Sequence, residues 1–358
     1  MSVVVYIAHT PYQMMGALNI ISNTPSNKRH ILMLVHANLE KYLGIANFFP
    51  NVEVVLEKRL FLHYKVLPSF WAHVDIMKKA IMLKSKVKEL TYLKNKDISE
   101  LFVPSDDIIC RVVYNYVNKR NNNIVLSLYD DGVGTYDLHT FKKIGLGELF
   151  YKCFLDSNYS SRIKNLYCYK TSLVSTNNLK LKYHDIISSD IVKQAFCSCL
   201  NDDISKYYKK KVIFLDQGFS NYESVKTCFS LLDRYFEKQD VLIKTHPRVS
   251  ASTDFPFETS NDGFPFEIIA ATIDLSQCLI ISYSSGGCIT PVLMYGEKGG
   301  VSLFLITIDD NGDNGPAVQF FNRVRKELGD DVVYMPKSVH DLEDFLNSHS
   351  YISGAKRK

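Results

Sequence analysis

"VVVYIAHTPYQMMGALNI", residues 3–20, passes from a β-branched apolar run through a short turn into a helix-compatible segment that opens at Pro11. An unbroken apolar run suits a strand buried on both faces. Proline is favoured at the first position of a helix, where its missing N–H would be unpaired in any case. The stretch therefore predicts a strand ending at His9 and Thr10, followed directly by a helix whose first backbone N–H groups face the space beyond the strand. Thr10 is placed either to cap that helix or, with Tyr12 and Gln13, to hydrogen-bond a substrate.

The same rhythm continues outward. "HILMLVH" (30–36), "VEVVLE" (52–57), "ELFVPS" (100–105) and "NIVLSLYDDG" (123–132) alternate with longer helix-compatible segments. After a polar, lysine-rich stretch near 200–211, "VIFLDQ" (212–217), "VLIKTH" (241–246), "CLIISYSS" (278–285) and "SLFLITI" (302–308) form a second series. Strands alternating with helices predict parallel sheets, hence an α/β fold of two Rossmann-like domains. At 358 residues and 46% hydrophobic, the chain can fill two cores. The boundaries expected are 1–205 and 206–358, with the C-terminal helix packing back on the first domain. Open α/β domains bind ligands beyond the carboxyl ends of their strands, so the residues that follow strands matter most.

A net charge of +4, with Lys and Arg scattered, argues against a nucleic-acid partner and suits an anionic substrate. Eight cysteines without a C-x-x-C pair fit a reduced, cytoplasmic protein. The N-terminus has no basic region before its apolar run, so it reads as a strand and not as an export signal. No uninterrupted apolar run approaches the ~18 residues of a spanning helix. The tail "GAKRK" (354–358) is a solvated terminus or a contact for an anionic membrane surface.

Four stretches could carry chemistry. In "LSLYDDGVGTYD" (126–137), Asp130 and Asp131 arrive at a strand end before Gly132. Adjacent carboxylates raise each other's pKa, which suits a general base, although an ordinary Asp-Gly turn has the same spelling. Magnesium binding ranks lower, for want of a third carboxylate at a comparable strand end. In "VLIKTHPRVS" (241–250), Lys244, His246 and Arg248 follow a strand while Pro247 fixes the turn, an arrangement able to hold a phosphate. In "FPFEIIAA" (264–271), Glu267 opens a helix. In "IISYSSGGCITPVLMYG" (280–296), Ser284 and Ser285 precede two glycines and a helix, a setting for a bound anion. "DDNGDNG" (309–315) has Asn314 and Phe320 where a calcium loop needs glycine and glutamate, so it reads as a solvated turn.

Taken in order, TPYQ after the first strand, D-D-G mid-chain, K-x-HP in the second domain and the later serine pair resemble the bacterial sialyltransferases of glycosyltransferase family 52, the lipooligosaccharide sialyltransferases. Kinship with capsular polysialyltransferases and family 80 sialyltransferases accompanies that resemblance. It implies a GT-B fold, with parallel sheets facing across a cleft. It further implies a cytidine monophosphate-sialic acid (CMP-sialic acid) donor, a galactose-type glycan acceptor and inversion without metal or cofactor. Asp130 would be the base, with Asp131 and Asp216 as alternatives, and His246 would meet the donor phosphate. Glu267 would hold the cytidine ribose, and Ser284 and Ser285 the phosphate. Thr10, Gln13, Gly132, Lys244 and Pro247 would line the substrates. The expected setting is the cytoplasm, with peripheral attachment to the inner membrane face and homodimerisation both open. Two alternatives stand beside this reading: a transferase using another nucleotide sugar such as a glucosyl donor, and a non-catalytic nucleotide- or glycan-binding protein.

Overall fold

The computed structural model describes residues 2–25, 27–62, 69–94, 96–137, 159–175, 180–200, 202–217, 222–246, 255–296, 300–309 and 315–352. Pro247, Arg248, the tail 354–358 and most of the 309–315 turn lie outside the described residues. The chain divides into two compact units, Met1–Cys199 and Leu200–Lys358.

The first unit is built on a seven-stranded sheet, ordered β3-β2-β1-β4-β5-β6-β7. Its strands are β1 (Val3–Ala8), β2 (Arg29–Leu34), β3 (Val52–Leu56), β4 (Ile98–Val103), β5 (Val125–Tyr129), β6 (Ile163–Cys168) and β7 (Lys182–Asp185). Every pairing is parallel. All six residues of β1 are buried, because the strand has a neighbour on each edge and cover on each face. The helix Pro11–Ser22 starts where expected, with proline in its first turn and Thr10 as its cap.

The second unit carries a six-stranded parallel sheet, ordered β10-β9-β8-β11-β12-β13. These strands are β8 (Val212–Leu215), β9 (Val241–Lys244), β10 (Glu258–Ser260), β11 (Leu279–Ser282), β12 (Val301–Phe304) and β13 (Val333–Tyr334). Val212, Phe214, Ile243, Leu279, Ile281 and Leu303 fill its core. The C-terminal helix Val339–Ile352 lays Leu342 and Leu346 into that same core, so it belongs to the second unit by its packing.

Both sheets reverse their winding once. In the first the chain runs outward from β1 through β2 to β3, then returns to place β4 on the other side of β1. In the second, β8 has β9 on one side and β11 on the other. The helical connections diverge at such a point and leave a crevice beyond the carboxyl ends of the two central strands. Among the described residues, no helix is long and apolar enough to cross a membrane.

Candidate active site

Among the described residues, a group of titratable side chains gathers beyond the carboxyl ends of β1, β4 and β5 in the first unit. His9 follows β1 directly. Asp107, four residues beyond β4, lies across the winding reversal, with its Oδ2 3.1 Å from His9 Nε2. Asp107 is also the cap of the helix Ile108–Asn118. Its Oδ1 accepts the N–H groups of Ile109 (2.7 Å) and Cys110 (2.9 Å), which aims the other oxygen at the imidazole. Its chain neighbour Asp106 turns instead to Arg111, 2.6 Å away.

The two groups shift each other's protonation. Desolvation disfavours imidazolium at His9, but the charge and hydrogen bond of Asp107 outweigh it and hold the imidazole above its ordinary value. Desolvation likewise opposes the Asp107 carboxylate, yet His9 and the backbone N–H of Cys110 keep it well below the usual carboxylate range. Hydrogen bonding through Nε2 leaves Nδ1 as the nitrogen able to accept a proton, the relation of an oriented base to its carboxylate.

Gln13 ties this group to β5. Its Oε1 accepts the backbone N–H of His9 at 2.6 Å, and its Nε2 donates to Asp131. It is 3% exposed, so it fixes the positions of its neighbours and offers no surface to a ligand. Thr10 accepts the Gln13 N–H at 3.2 Å, the capping role among its two alternatives. Asp131 is exposed as a residue, yet the protein around its carboxyl strips away enough water to raise it to about 6, against the Gln13 amide and His9, which lower it.

Asp130, the residue expected to be the base, is completely buried. Its Oδ1 accepts the Gly132 N–H (2.7 Å), while Oδ2 accepts the Tyr136 hydroxyl (2.7 Å) and the Tyr169 N–H (3.3 Å). Desolvation raises its pKa in spite of these donors. A carboxylate so enclosed holds the turn together and offers no oxygen to an incoming hydroxyl. Gly132 sits at φ 93°, where side chains are strained, and a Cβ there would meet open space. The positive φ of the turn is what requires a glycine here.

The second unit presents a different group beyond β8, β9 and β11. Lys244 is buried and ion-paired with Asp262 at 2.7 Å, and Asp262 also accepts from the hydroxyls of Tyr207 and Ser260. Its ammonium is thus paired within the protein. Glu267 is buried and accepts from Thr290 Oγ1 at 2.7 Å, with desolvation raising its pKa. Ser285 Oγ accepts the Gly287 N–H at 3.2 Å, and a Cβ on Gly287 would lie 3.3 Å from that oxygen and 3.8 Å from Glu267 Oε1, so the three are neighbours. The Ser284 N–H donates to Gln217 Oε1 and the Ser285 N–H to Ser282 Oγ, both at 2.9 Å. These N–H groups are therefore spoken for within the protein. Asp216, the reserve base, is buried at the end of β8, and its N–H donates to the Lys244 carbonyl at 2.9 Å. His246 stands two residues beyond β9, half-buried.

The pair His9 and Asp107 is absent from the sequence-based expectations. The signal was available: Asp106 and Asp107 follow "ELFVPS", a carboxylate pair at a strand end like that of Asp130 and Asp131. The expectation that no further carboxylate occupies such a place is corrected by Asp107.

No family model and no curated protein matches the sequence. Solved structures do match over nearly the whole chain. Arabidopsis thaliana UGT89C1 complexed with UDP-L-rhamnose superposes with a TM-score of 0.57 at 9% identity, covering 98% of this chain and 91% of that one. UDP-GlcNAc 2-epimerase from Neisseria meningitidis bound to UDP-GlcNAc gives 0.57 at 12% identity, covering 100% and 95%. The glycotransferase of kitacinnamycin gives 0.56 at 8% identity, covering 99% and 96%. With two Rossmann-like parallel sheets in series, the chain has the GT-B α/β fold. The resemblance to family 52 sialyltransferases does not stand: no family model supports it, and the matching structures whose descriptions name a nucleotide sugar name UDP sugars.

Proposed function

We propose that this chain is a glycosyltransferase that draws on a UDP-type nucleotide sugar, with His9 as its general base and Asp107 orienting that base. The observation that carries the reading is the His9 to Asp107 contact of 3.1 Å beside the winding reversal of the first sheet. Asp107 accepts from Nε2, so His9 Nδ1 takes the proton of an acceptor hydroxyl. The freed oxygen attacks the anomeric carbon of the sugar, and the nucleoside diphosphate leaves with the bonding pair. Asp131, with its pKa near 6 and its exposed position, stabilises the imidazolium that results. Donor recognition is assigned to the second unit, where Glu267 and Ser285 lie together and His246 follows β9. The likeness to proteins bound to UDP-L-rhamnose and UDP-GlcNAc supports a uridine nucleotide in place of the cytidine nucleotide first expected.

Thermal-shift titration with UDP and with CMP tests the donor. A ligand at a hundredfold excess over Kd adds ~2.7 kcal/mol of stability, so UDP is expected to raise the melting temperature and CMP to leave it unchanged. The reverse result would overturn the UDP reading. Product analysis with a panel of UDP sugars and hydroxyl acceptors tests the reaction. Formation of an epimerised sugar from UDP-GlcNAc without any acceptor would replace transfer by epimerisation, and nucleotide binding without turnover would leave a binding protein.

A further inference from the structure

His9, Asp107 and Cys110 bring three different metal-ligating atoms into one triangle. Nε2 lies 3.1 Å from Oδ2, Sγ lies 3.4 Å from the same oxygen, and Sγ lies 3.7 Å from Nε2. A hydrogen-bonded cap accounts for two sides, with the imidazole N–H and the thiol S–H both donating to Oδ2. The third side is then a van der Waals contact between imidazole and sulfur, and the same three atoms are also spaced as ligands of a single ion. Zinc binds imidazole nitrogen at ~2.0–2.1 Å, thiolate sulfur at ~2.3 Å and carboxylate oxygen at ~2.0–2.2 Å, so tetrahedral angles separate such ligand atoms by about 3.3–3.6 Å. The three sides observed bracket that range.

The carboxylate is held in place from behind, as the ligands of metal sites commonly are. Oδ1 accepts two helix N–H groups, and Ser105 Oγ donates to Oδ2 at 2.7 Å. Cys110 is buried, while the side chains of His9 and Asp107 are 21% and 26% exposed, so solvent reaches the triangle past those two.

The geometry points to a site for a thiophilic divalent cation, with zinc as the fitting probe, whose occupation switches off the base. The switch rests on the functional reading above, whereas the binding site does not. The cation takes Nε2, Oδ2 and Sγ, and water completes the shell. The thiol proton passes to solvent, and the imidazole proton resides on Nδ1. An imidazole with metal on one nitrogen and hydrogen on the other has no basic position left, so occupation and proton abstraction exclude each other. A thiolate in the set favours zinc or cobalt over magnesium and calcium, which prefer oxygen.

The chelator-stripped full chain is titrated with Co2+, followed by absorbance and competed with Zn2+ and Mg2+. One equivalent is expected to give thiolate-to-cobalt charge-transfer absorption with tetrahedral d–d bands, displaced by zinc and not by magnesium. Cys110→Ser is expected to lose the charge-transfer absorption. His9→Ala, at a half-buried position where Cys110 is fully buried, is expected to bind at least tenfold more weakly, which keeps the test open if the serine variant does not fold. No such absorption in the native chain, or undiminished absorption and affinity in both variants, overturns the site. Zinc is further expected to inhibit transfer, reversibly on adding chelator. Full transfer activity with zinc bound would overturn the switch, while cobalt binding by a chain that transfers no sugar would sink the transferase reading and leave the site standing.

Discussion

The carboxyl edges of the two sheets differ in how their polar groups are satisfied. Beyond the second sheet the circuits are closed: Lys244 is paired with Asp262, Glu267 with Thr290, and the N–H groups of Ser284 and Ser285 with side chains of the same unit. Beyond the first sheet the circuit ends in groups that reach solvent. His9 and Asp107 keep part of their surface, and Asp131 is exposed with a raised pKa. A closed circuit gives a rigid frame, whereas a group with a shifted pKa and an open side is available for proton transfer. The same strand-end geometry thus ends in closed hydrogen-bond circuits at these positions of one unit and in solvent-reaching titratable groups in the other.

The largest effect that would break this contrast is at His9. His9→Ala is expected to lower transfer by ~10²–10⁴-fold, the usual worth of a positioned acid or base, with melting temperature and UDP binding little changed. Steady-state kinetics beside a thermal melt checks it, and an active variant would remove the base from the proposal. Next is the buried pair of the second unit. Asp262→Ala strands the Lys244 ammonium, whose side chain is 5% exposed, and is expected to cost about 3–5 kcal/mol in denaturant unfolding. A loss below 1 kcal/mol would mean that this circuit does not serve as a frame.

A pH profile sharpens the contrast further. His9 must be unprotonated to act, so kcat/KM is expected to rise with pH through an apparent pKa above the ordinary ~6.5 of imidazole. Asp107→Asn removes the charge that raises that pKa. The limb should move to lower pH, while the maximal rate falls. A limb that stays in place would transfer the titration to another group, Asp131 first. Smaller effects follow at the turn and the cap. Gly132→Ala, forced to φ 93°, is expected to destabilise by about 1–2 kcal/mol, and Thr10→Ala by about 1 kcal/mol through the lost cap. Both are measured by denaturant unfolding, and a larger loss of activity than of stability at either would give that residue a part in the site beyond shaping it.

Strands were readable from sequence where apolar residues predominate, which includes β3 at the rim of its sheet and leaves out β6 although it is paired on both sides. β1, β2, β4, β5, β8, β9, β11 and β12 all carry apolar runs, whereas β6 (IKNLYC), β7 (KYHD), β10 (ETS) and β13 (VY) are outer, short or half-polar and left no such signal. Sites were readable to the same depth. That polar residues at strand ends would matter followed from the alternation of elements. Which carboxylate would be enclosed and which left open did not, because Asp130 and Asp131 are chemically identical and differ only in the direction their side chains take from the turn.

What the sequence alone determined is the α/β architecture: unbroken apolar runs spaced by helices can bury themselves only as parallel sheets with covered faces. Only the tertiary structure decided the partners. His9 and Asp107 stand 98 positions apart in the chain and meet because β4 returns to the side of β1. Nothing local to either residue encodes that meeting, since it depends on the order in which strands assemble and on the desolvation that only a packed neighbour supplies.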